Sequence, residues 1–246
     1  MAPGRASSPA HEELPRSVDV PHPSRALLHR FRARAGSILH RRWDLSVRGL
    51  EQVPTSGPVV VVANHIGFLD GPLMAIVGPR PVHVLTKQEM YHGPLGPLLN
   101  ASGQIPVRRH GADPAAVKTA LRVLRDHGAV GVFPEGTRGD GTVERVKPGA
   151  AYLAMATGAT VVPLVYLGTR VPGGSSNSLP PAGSRLVMSF GPPLPVDRQP
   201  WPRRQPDTHA LSQRIREVLL ATLDEAQQAT GMTLPGPIPG TDKEIL

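Results

Sequence analysis

The sequence predicts an α/β fold with a largely parallel central sheet flanked by helices, and three observations support it. Residues 59–63 are four valines and an alanine, a run typical of a strand buried on both faces of a parallel sheet. Short apolar runs alternate with helical stretches through most of residues 44–230, as in other α/β domains. Polar residues follow several of these runs, as Asn64 and His65 follow the first. Because the carboxyl ends of parallel strands meet at one sheet edge, we expect these polar residues to lie together.

The apolar pattern divides the domain into seven strands and five helices. Strands are expected at residues 45–50, 59–63, 82–86, 105–108, 130–133, 161–167 and 186–190. Helices are expected at residues 69–77, 93–99, 115–125, 150–156 and 207–229. The third helix has the clearest ends, with Asp113 as a cap, Pro114 at its first position and Gly128 beyond its last turn.

Basic residues are in excess: 27 Lys and Arg stand against 19 Asp and Glu, a net charge of +8. Such an excess favours anionic partners, namely phosphates, acidic membrane surfaces or nucleic acid. Only 4% of the residues are aromatic, which leaves few side chains for stacking on bases. The absence of cysteine excludes disulfides and thiolate chemistry. The charge therefore favours phosphate groups or lipid headgroups.

The flanking segments differ from the domain at residues 44–230. Residues 1–23 and 231–246 are rich in Pro and small or polar residues, which predicts a disordered arm and tail. Residues 24–43 predict a basic amphipathic helix for a membrane interface, with Trp43 at its end; a surface helix packed on the domain is the plainer alternative. The apolar stripe of this helix comprises Leu28, Phe31, Ala35, Ile38 and Leu39.

No apolar run reaches the roughly 18 residues that a membrane span requires, and no signal peptide is evident. Together with the basic helix, this predicts a peripheral protein on the cytoplasmic face of the cell membrane. No Gly-rich nucleotide loop and no metal-ligand spacing of histidines occur, so neither a cofactor nor a metal is expected.

The pair His65 and Asp70 carries the strongest prediction of chemistry. A histidine at the end of a buried strand, with a carboxylate at the start of the next helix, suits a general base and its partner. Without a nearby serine or cysteine nucleophile, the base would take a proton from the substrate's own hydroxyl. In the plainer alternative, His65 makes a loop hydrogen bond and Asp70 caps a helix.

Other predicted strand ends supply cations that suit a phosphorylated substrate. Lys87 follows the strand at 82–86, Arg109 follows that at 105–108, and Glu135 and Arg138 follow that at 130–133. Forked hydrogen bonds from arginine bind phosphate and would position the reacting hydroxyl.

Four short blocks resemble the glycerolipid acyltransferases, the lysophosphatidic acid acyltransferase family. They are Asn64-His65-x4-Asp70, Gly103-x-Ile105-x3-Arg109, Phe133-Pro134-Glu135-Gly136-Thr137-Arg138 and Val161-Val162-Pro163-Leu164. They stand in the family's order within residues 45–195. Two positions depart from the family pattern: Arg108 stands where an acidic or small residue is frequent, and Gly139 stands where serine is common.

The resemblance implies the glycerol-phosphate acyltransferase-like fold and an acyl transfer in phospholipid biosynthesis. The donor would be a thioester of coenzyme A or acyl carrier protein, and the acceptor the hydroxyl of 1-acylglycerol 3-phosphate. It implies His65 as the base with Asp70 as its partner, and Lys87 near the thioester oxyanion. It also implies an acceptor site composed of Asn64, Arg109, Glu135, Gly136, Thr137 and Arg138.

Plainer roles stand beside these. Lys87 can be a surface lysine, the arginines can form structural ion pairs, Glu135 can be the buried partner of an arginine, and Asn64 can merely orient its turn. The same fold can also acylate another lysophospholipid or a glycolipid. Two further classes of protein remain possible from the sequence. One is a non-catalytic protein that binds lipid surfaces, although the intact pair of His65 and Asp70 argues against it. The other is a nucleic-acid-binding protein, which the net charge alone suggests.

Overall fold

The computed structural model describes residues 17–24, 26–108, 111 and 113–239. The strands in this part of the chain are β1 (Asp44–Arg48), β2 (Val59–Ala63), β3 (Val82–Lys87), β4 (Ile105–Val107), β5 (Ala129–Val132), β6 (Thr160–Leu167) and β7 (Arg185–Phe190). The α-helices are α1 (Ala26–Arg42), α2 (Asp70–Val77), α3 (Gly96–Ala101), α4 (Pro114–Arg125), α5 (Gly149–Thr157) and α6 (Gln205–Thr230). Two 3₁₀ turns, Leu50–Gln52 and Gln88–Tyr91, were not predicted.

The strands form one seven-stranded sheet in the order β1-β7-β6-β2-β5-β3-β4. Strands β6, β2, β5, β3 and β4 run parallel to one another, whereas β7 is antiparallel to β6 and β1 is parallel to β7. The prediction of a largely parallel sheet between helices is therefore confirmed. The carboxyl ends of β2, β5, β3 and β4, which precede the predicted site residues, lie side by side at one edge.

Strand β2 lies at the centre of the sheet, and all five of its residues are buried. Successive side chains of a strand point to opposite faces. Val61 therefore packs into the core beneath α1 and α2, while Val60 packs into the core beneath α4, α5 and α6. An uninterrupted valine run serves this position because both faces of the strand are covered.

Helix α4 begins and ends close to its predicted limits. Asp113 Oδ1 accepts hydrogen bonds from the backbone N–H groups of Ala115 and Ala116, at 3.1 and 3.2 Å. Pro114 occupies the first turn, where its missing N–H costs nothing. The residues that flank the helix in sequence therefore set its start.

Helix α1 divides its apolar residues between the domain and the outside. Leu28 is buried in the core beside α2, whereas Phe31 and Ile38 are 41% and 66% exposed. The expectation that Trp43 marks a membrane interface is wrong: this residue is buried, and its indole N–H donates to the carbonyl of Pro180 at 3.1 Å. Packing against the loop that follows β6 removes the tryptophan from the helix's outer face.

Most of the predicted N-terminal arm lies outside the described residues. The first residues of the predicted tail are described, and they contact the domain in ways that composition did not predict. Leu234 packs against the core, and the carbonyl of Gly236 accepts a hydrogen bond from Arg170 at 2.5 Å. None of the helices among the described residues combines the length and apolar character that crossing a bilayer requires.

Candidate active site

His65 and Asp70 are in direct contact at the carboxyl end of β2. His65 Nδ1 lies 2.8 Å from Asp70 Oδ2, and the exposed fractions of the two side chains are 14% and 0%. Because a carboxylate accepts hydrogen bonds, Nδ1 carries the proton and Nε2 keeps its lone pair. The imidazole therefore has the tautomer that a general base requires.

The Asp70 carboxylate is surrounded by hydrogen-bond donors. Its Oδ2 also accepts from the backbone N–H groups of Ile66 and Gly67, both at 2.8 Å, and its Oδ1 accepts from the Thr169 hydroxyl at 2.5 Å. With His65 Nδ1, four donors thus satisfy both oxygens of a carboxylate that is fully buried. The donors also hold it in one orientation, so the alternative in which Asp70 only caps a helix is inadequate.

Arg170 supports the turn that carries His65, and the sequence reasoning missed it. The side chain is buried, with 1% exposed, and burial lowers the pKa of its guanidinium from the usual value. Its Nε donates to the carbonyl of Ile66 at 2.8 Å, and its Nη2 donates to that of Gly139 at 3.1 Å. The guanidinium thereby connects the turn after β2 with the loop after β5.

Thr169 and Arg170 follow β6 after a single glycine, much as Asn64 and His65 follow β2 directly. The pattern that identified the other site residues, a polar pair after a buried run, was therefore present here as well. Gly67 allows the close approach of the two segments, because a Cβ at this position would lie 2.4 Å from the carbonyl oxygen of Thr169.

The loop after β5 holds His65 from the other side. The His65 ring stacks on Phe133, with 3.9 Å between centroids and 14° between planes. The His65 N–H donates to Glu135 Oε1 at 2.9 Å, and its carbonyl accepts from the Gly139 N–H at 2.8 Å. Burial, opposed by that bond from His65, raises the pKa of Glu135 to about 7. Glu135 thus supports the His65 backbone, and this contact is not the arginine pair considered from the sequence.

A cleft of about 2110 Å³ opens beside His65. Its apolar wall comes from α1, α2, α3 and α4, with Phe31, Ile76 and Leu98 among the lining side chains. Thr137, Arg138 and Lys87 line the same cleft, so the structure brings together side chains from the ends of β2, β3 and β5. An apolar cleft with a cationic side matches a molecule that carries both a hydrocarbon chain and an anionic group.

The cationic side chains of the cleft differ in how closely neighbouring side chains contact them. Arg138 Nη1 donates to Asn177 Oδ1 at 2.6 Å, and its guanidinium carbon lies 5.4 Å from the centroid of the Phe68 ring. Lys87 is 42% exposed, with its ammonium 3.8 Å from Glu89 Oε1.

Arg108 also lines the cleft, and its Nε lies 3.5 Å from Asp113 Oδ2. Arg108, one of the two departures from the family pattern, is thus an ion-pair partner of the residue that caps α4. Arg109 lies outside the described residues.

Asn64 does not face the cleft, which corrects its place in the predicted acceptor site. Its side chain is buried; Nδ2 donates to the carbonyl of Tyr166 at 3.1 Å, and Oδ1 accepts from the N–H of that residue at 2.8 Å. Both ends of the amide are therefore bonded to β6. The plainer alternative explains Asn64: it orients the turn by tying the ends of two strands together.

The parallel sheet and a His–Asp pair at a strand end beside an apolar, cationic cleft define a group-transfer enzyme of the α/β class. The sequence model of the acyltransferase family, described simply as "Acyltransferase", matches residues 44–167. The chain belongs to this family.

Relatives of established name come from bacteria, plants and animals. A 1-acyl-sn-glycerol-3-phosphate acyltransferase of Bacillus subtilis is 29% identical over 187 residues, which are 74% of this chain and 91% of that protein. The chloroplastic 1-acyl-sn-glycerol-3-phosphate acyltransferase LPAT1 of Arabidopsis thaliana is 31% identical over 178 residues, 69% of this chain and 47% of that protein. The chain thus spans nearly all of the bacterial relative and about half of the plant one.

A solved structure has the same fold. The 1-acyl-sn-glycerophosphate (LPA) acyltransferase PlsC of Thermotoga maritima superposes with a TM-score of 0.58 and 22% identity. The alignment covers 82% of this chain and 79% of that one.

Proposed function

We propose that the protein transfers a fatty acyl group from a thioester of coenzyme A or acyl carrier protein to the free hydroxyl of 1-acylglycerol 3-phosphate. The product is phosphatidic acid, an intermediate of phospholipid biosynthesis. The observation that carries this proposal is the 2.8 Å contact between His65 Nδ1 and Asp70 Oδ2 beside a cleft that is both apolar and cationic. Both named relatives are 1-acyl-sn-glycerol-3-phosphate acyltransferases, which supports the choice of acceptor.

In this reaction His65 Nε2 takes the proton of the acceptor hydroxyl as its oxygen attacks the thioester carbonyl. Asp70 stabilises the imidazolium that forms, because its carboxylate accepts the hydrogen bond from Nδ1–H throughout. When the tetrahedral intermediate collapses, the carbon–sulfur bond breaks and the leaving thiolate takes the proton from His65. A base positioned in this way contributes about 100- to 10,000-fold to the rate.

The predicted residues that line the cleft would contact the substrates. Lys87 lines the cleft at the end of β3, and an ammonium there would stabilise the negative charge on the thioester oxygen. Arg138, with Gly136 and Thr137 beside it, would bind the acceptor phosphate, and Arg109 is proposed for the same role from its place in the second block. No cofactor enters this reaction; the thioester is a co-substrate.

Membrane contact through α1 is part of the proposal, since the acceptor is a membrane lipid. Phe31 and Ile38 are exposed and lie seven residues apart, on one side of the helix. Three exposed arginines lie on or next to that side, namely Arg30, Arg34 and Arg41. Such a surface suits an anionic bilayer, with the apolar side chains in the acyl boundary and the arginines on headgroups. Sedimentation with anionic and neutral vesicles tests this contact. The protein should sediment with the anionic vesicles, and failure to do so would contradict the proposed membrane contact.

The deciding experiment is an assay of the purified protein that crosses several acceptors with both donor types. Lysophosphatidic acid should be acylated, and the His65→Ala variant should lose turnover while its thermal unfolding stays unchanged. Full activity of the His65→Ala variant would show that His65 is not the general base. Turnover only of another lysolipid would change the acceptor, and vesicle binding without turnover of any donor would favour the non-catalytic alternative.

A further inference from the structure

Lys147 lies against the loop that follows β5, although it is nine residues beyond Arg138 in the sequence. Its backbone N–H donates to the carbonyl of Pro134 at 2.9 Å. This bond closes the loop at 134–147 and places the residue two positions before the start of α5. The side chain of Lys147 lines the same cleft as His65 and Arg138.

Gly136 provides the space for this side chain. The backbone of Gly136 has φ +76°, and a Cβ at this position would lie 2.6 Å from Lys147 Nζ and 2.8 Å from its Cε. The left-handed backbone favours glycine at this position, and the absence of a Cβ leaves room for the lysine side chain. The ammonium of Lys147 is thus held next to the Glu-Gly-Thr-Arg stretch that borders the cleft.

The electrostatic surroundings of Lys147 differ from those of the neighbouring cations. Lys87 and Arg108 have carboxylate partners at 3.8 and 3.5 Å, whereas Lys147 has none within the part of the chain that the structure describes. Lys147 is also exposed. An exposed ammonium that has no carboxylate partner is available to an anionic ligand.

We infer that Lys147 binds the acceptor's phosphate together with Arg138, an inference that rests on the proposed function. A phosphate monoester carries between one and two negative charges at neutral pH, since its second pKa is about 6. One guanidinium balances only part of that charge. Lysine adds a point charge with three donors on a flexible stem, which complements the fixed fork of arginine. With its stem on Gly136, Lys147 directs this charge into the cleft beside His65.

The test compares Lys147→Ala and Lys147→Arg with Lys118→Ala, which removes an exposed lysine of α4 that does not line the cleft. Lys147→Ala should raise the KM for lysophosphatidic acid about 10- to 100-fold, the usual loss for a charge-assisted hydrogen bond. The KM for the thioester should change less than about twofold, since its carbonyl lies at a different part of the site. Lys147→Arg should restore part of the loss, and Lys118→Ala should match the wild type.

A second acceptor separates phosphate binding from a structural role. Monoacylglycerol lacks the phosphate, so any slow turnover of it should be equal in the wild type and in Lys147→Ala. Equal losses with both acceptors, a change confined to the thioester KM, or behaviour like that of Lys118→Ala would overturn the inference.

Failure of the proposed function gives a different result, namely no turnover of lysophosphatidic acid by the wild type. In that case calorimetric titration with glycerol 3-phosphate compares phosphate binding by the wild type and by Lys147→Ala without requiring turnover. Tighter binding to the wild type than to Lys147→Ala would support the role of Lys147, and equal binding would overturn it.

Discussion

The two sides of the cleft are built differently. On the side of His65 and Asp70, the Asp70 carboxylate is buried and accepts bonds from His65 Nδ1 and from two backbone N–H groups. The backbone N–H of His65 in turn donates to Glu135. The cationic side consists of long side chains on loops, such as Arg138 on Asn177 and the exposed Lys147 above Gly136. The first arrangement fixes one geometry, whereas the second supplies charge that adapts to a ligand.

This difference separates the expected effects of mutation. Changes on the buried side should reduce kcat or stability, because they disturb a single arrangement on which the proton transfer depends. Changes on the cationic side should raise the KM for the acceptor, because several donors share the phosphate and each supplies only part of the binding.

Asp70→Asn should have the largest effect. The amide keeps the shape of the carboxylate but stabilises neither the Nδ1–H tautomer nor the imidazolium, so kcat should fall about 1,000- to 10,000-fold with KM little changed. Steady-state kinetics measures this. Thr169→Val is the matched control, since it removes one of four donors from the carboxylate, and its kcat should fall about tenfold or less. Equal losses in the two variants would contradict the assigned role of Asp70.

Arg170→Met should destabilise the fold. It leaves the carbonyls of Ile66 and Gly139 without a charged donor in a buried setting, which should lower the free energy of unfolding by about 3 kcal/mol. Urea denaturation measures the loss. Arg185→Met, which removes an exposed bond to the carbonyl of Thr230, should cost below about 1 kcal/mol. A stable Arg170→Met variant would show that the two loops hold together without the guanidinium.

Glu135→Gln should change how stability depends on pH. Burial raises the pKa of Glu135 to about 7 in the folded protein, so the folded state binds this proton more tightly than the unfolded state does. The resulting stabilisation is complete below the unfolded pKa and is lost as the pH rises through about 7. Between pH 5 and 8 the wild type should lose about 2 kcal/mol relative to Glu135→Gln.

Urea denaturation across that pH range measures this difference. Glu51→Gln is the control, because Glu51 is exposed on the 3₁₀ turn after β1 and its replacement should leave the wild-type pH profile intact. Parallel profiles for the wild type and Glu135→Gln would contradict the raised pKa.

Arg138→Ala should have the smallest of these effects and a different kinetic signature. The KM for lysophosphatidic acid should rise about tenfold while kcat stays within about threefold, because Lys147 still meets part of the phosphate charge. Asn177→Ala removes only the acceptor of the Arg138 hydrogen bond, so a smaller rise in KM is expected. A loss confined to kcat would place Arg138 with the buried side of the cleft.

Elements with local sequence patterns were predicted well. The valine run of β2 and the Asp113-Pro114 start of α4 depend on neighbouring residues, so a single stretch of sequence contains the necessary information. The contact between His65 and Asp70 belongs to the same group, because five residues at a strand-to-helix turn cannot lie far apart.

Contacts between distant segments were not predictable in this way. Nothing near Trp43 indicates that its indole would bond to Pro180, so the sequence suggested a membrane anchor instead. The buried run before Thr169 places this residue at the same sheet edge, but it does not indicate that the hydroxyl would meet Asp70, 99 residues earlier in the chain.

The sequence by itself determined the alternation of strands and helices, the acyltransferase blocks and the pairing of His65 with Asp70. These follow from periodicity and short spacing, which act within a few residues. Only the tertiary structure decided that Asn64 supports β6 rather than the substrate, that Arg170 joins two loops, and that Lys147 lies on Gly136. The first two contacts depend on the order of strands in the sheet, because neighbouring strands bring together segments that are far apart in the chain. The third depends on how the loop after β5 folds back on itself.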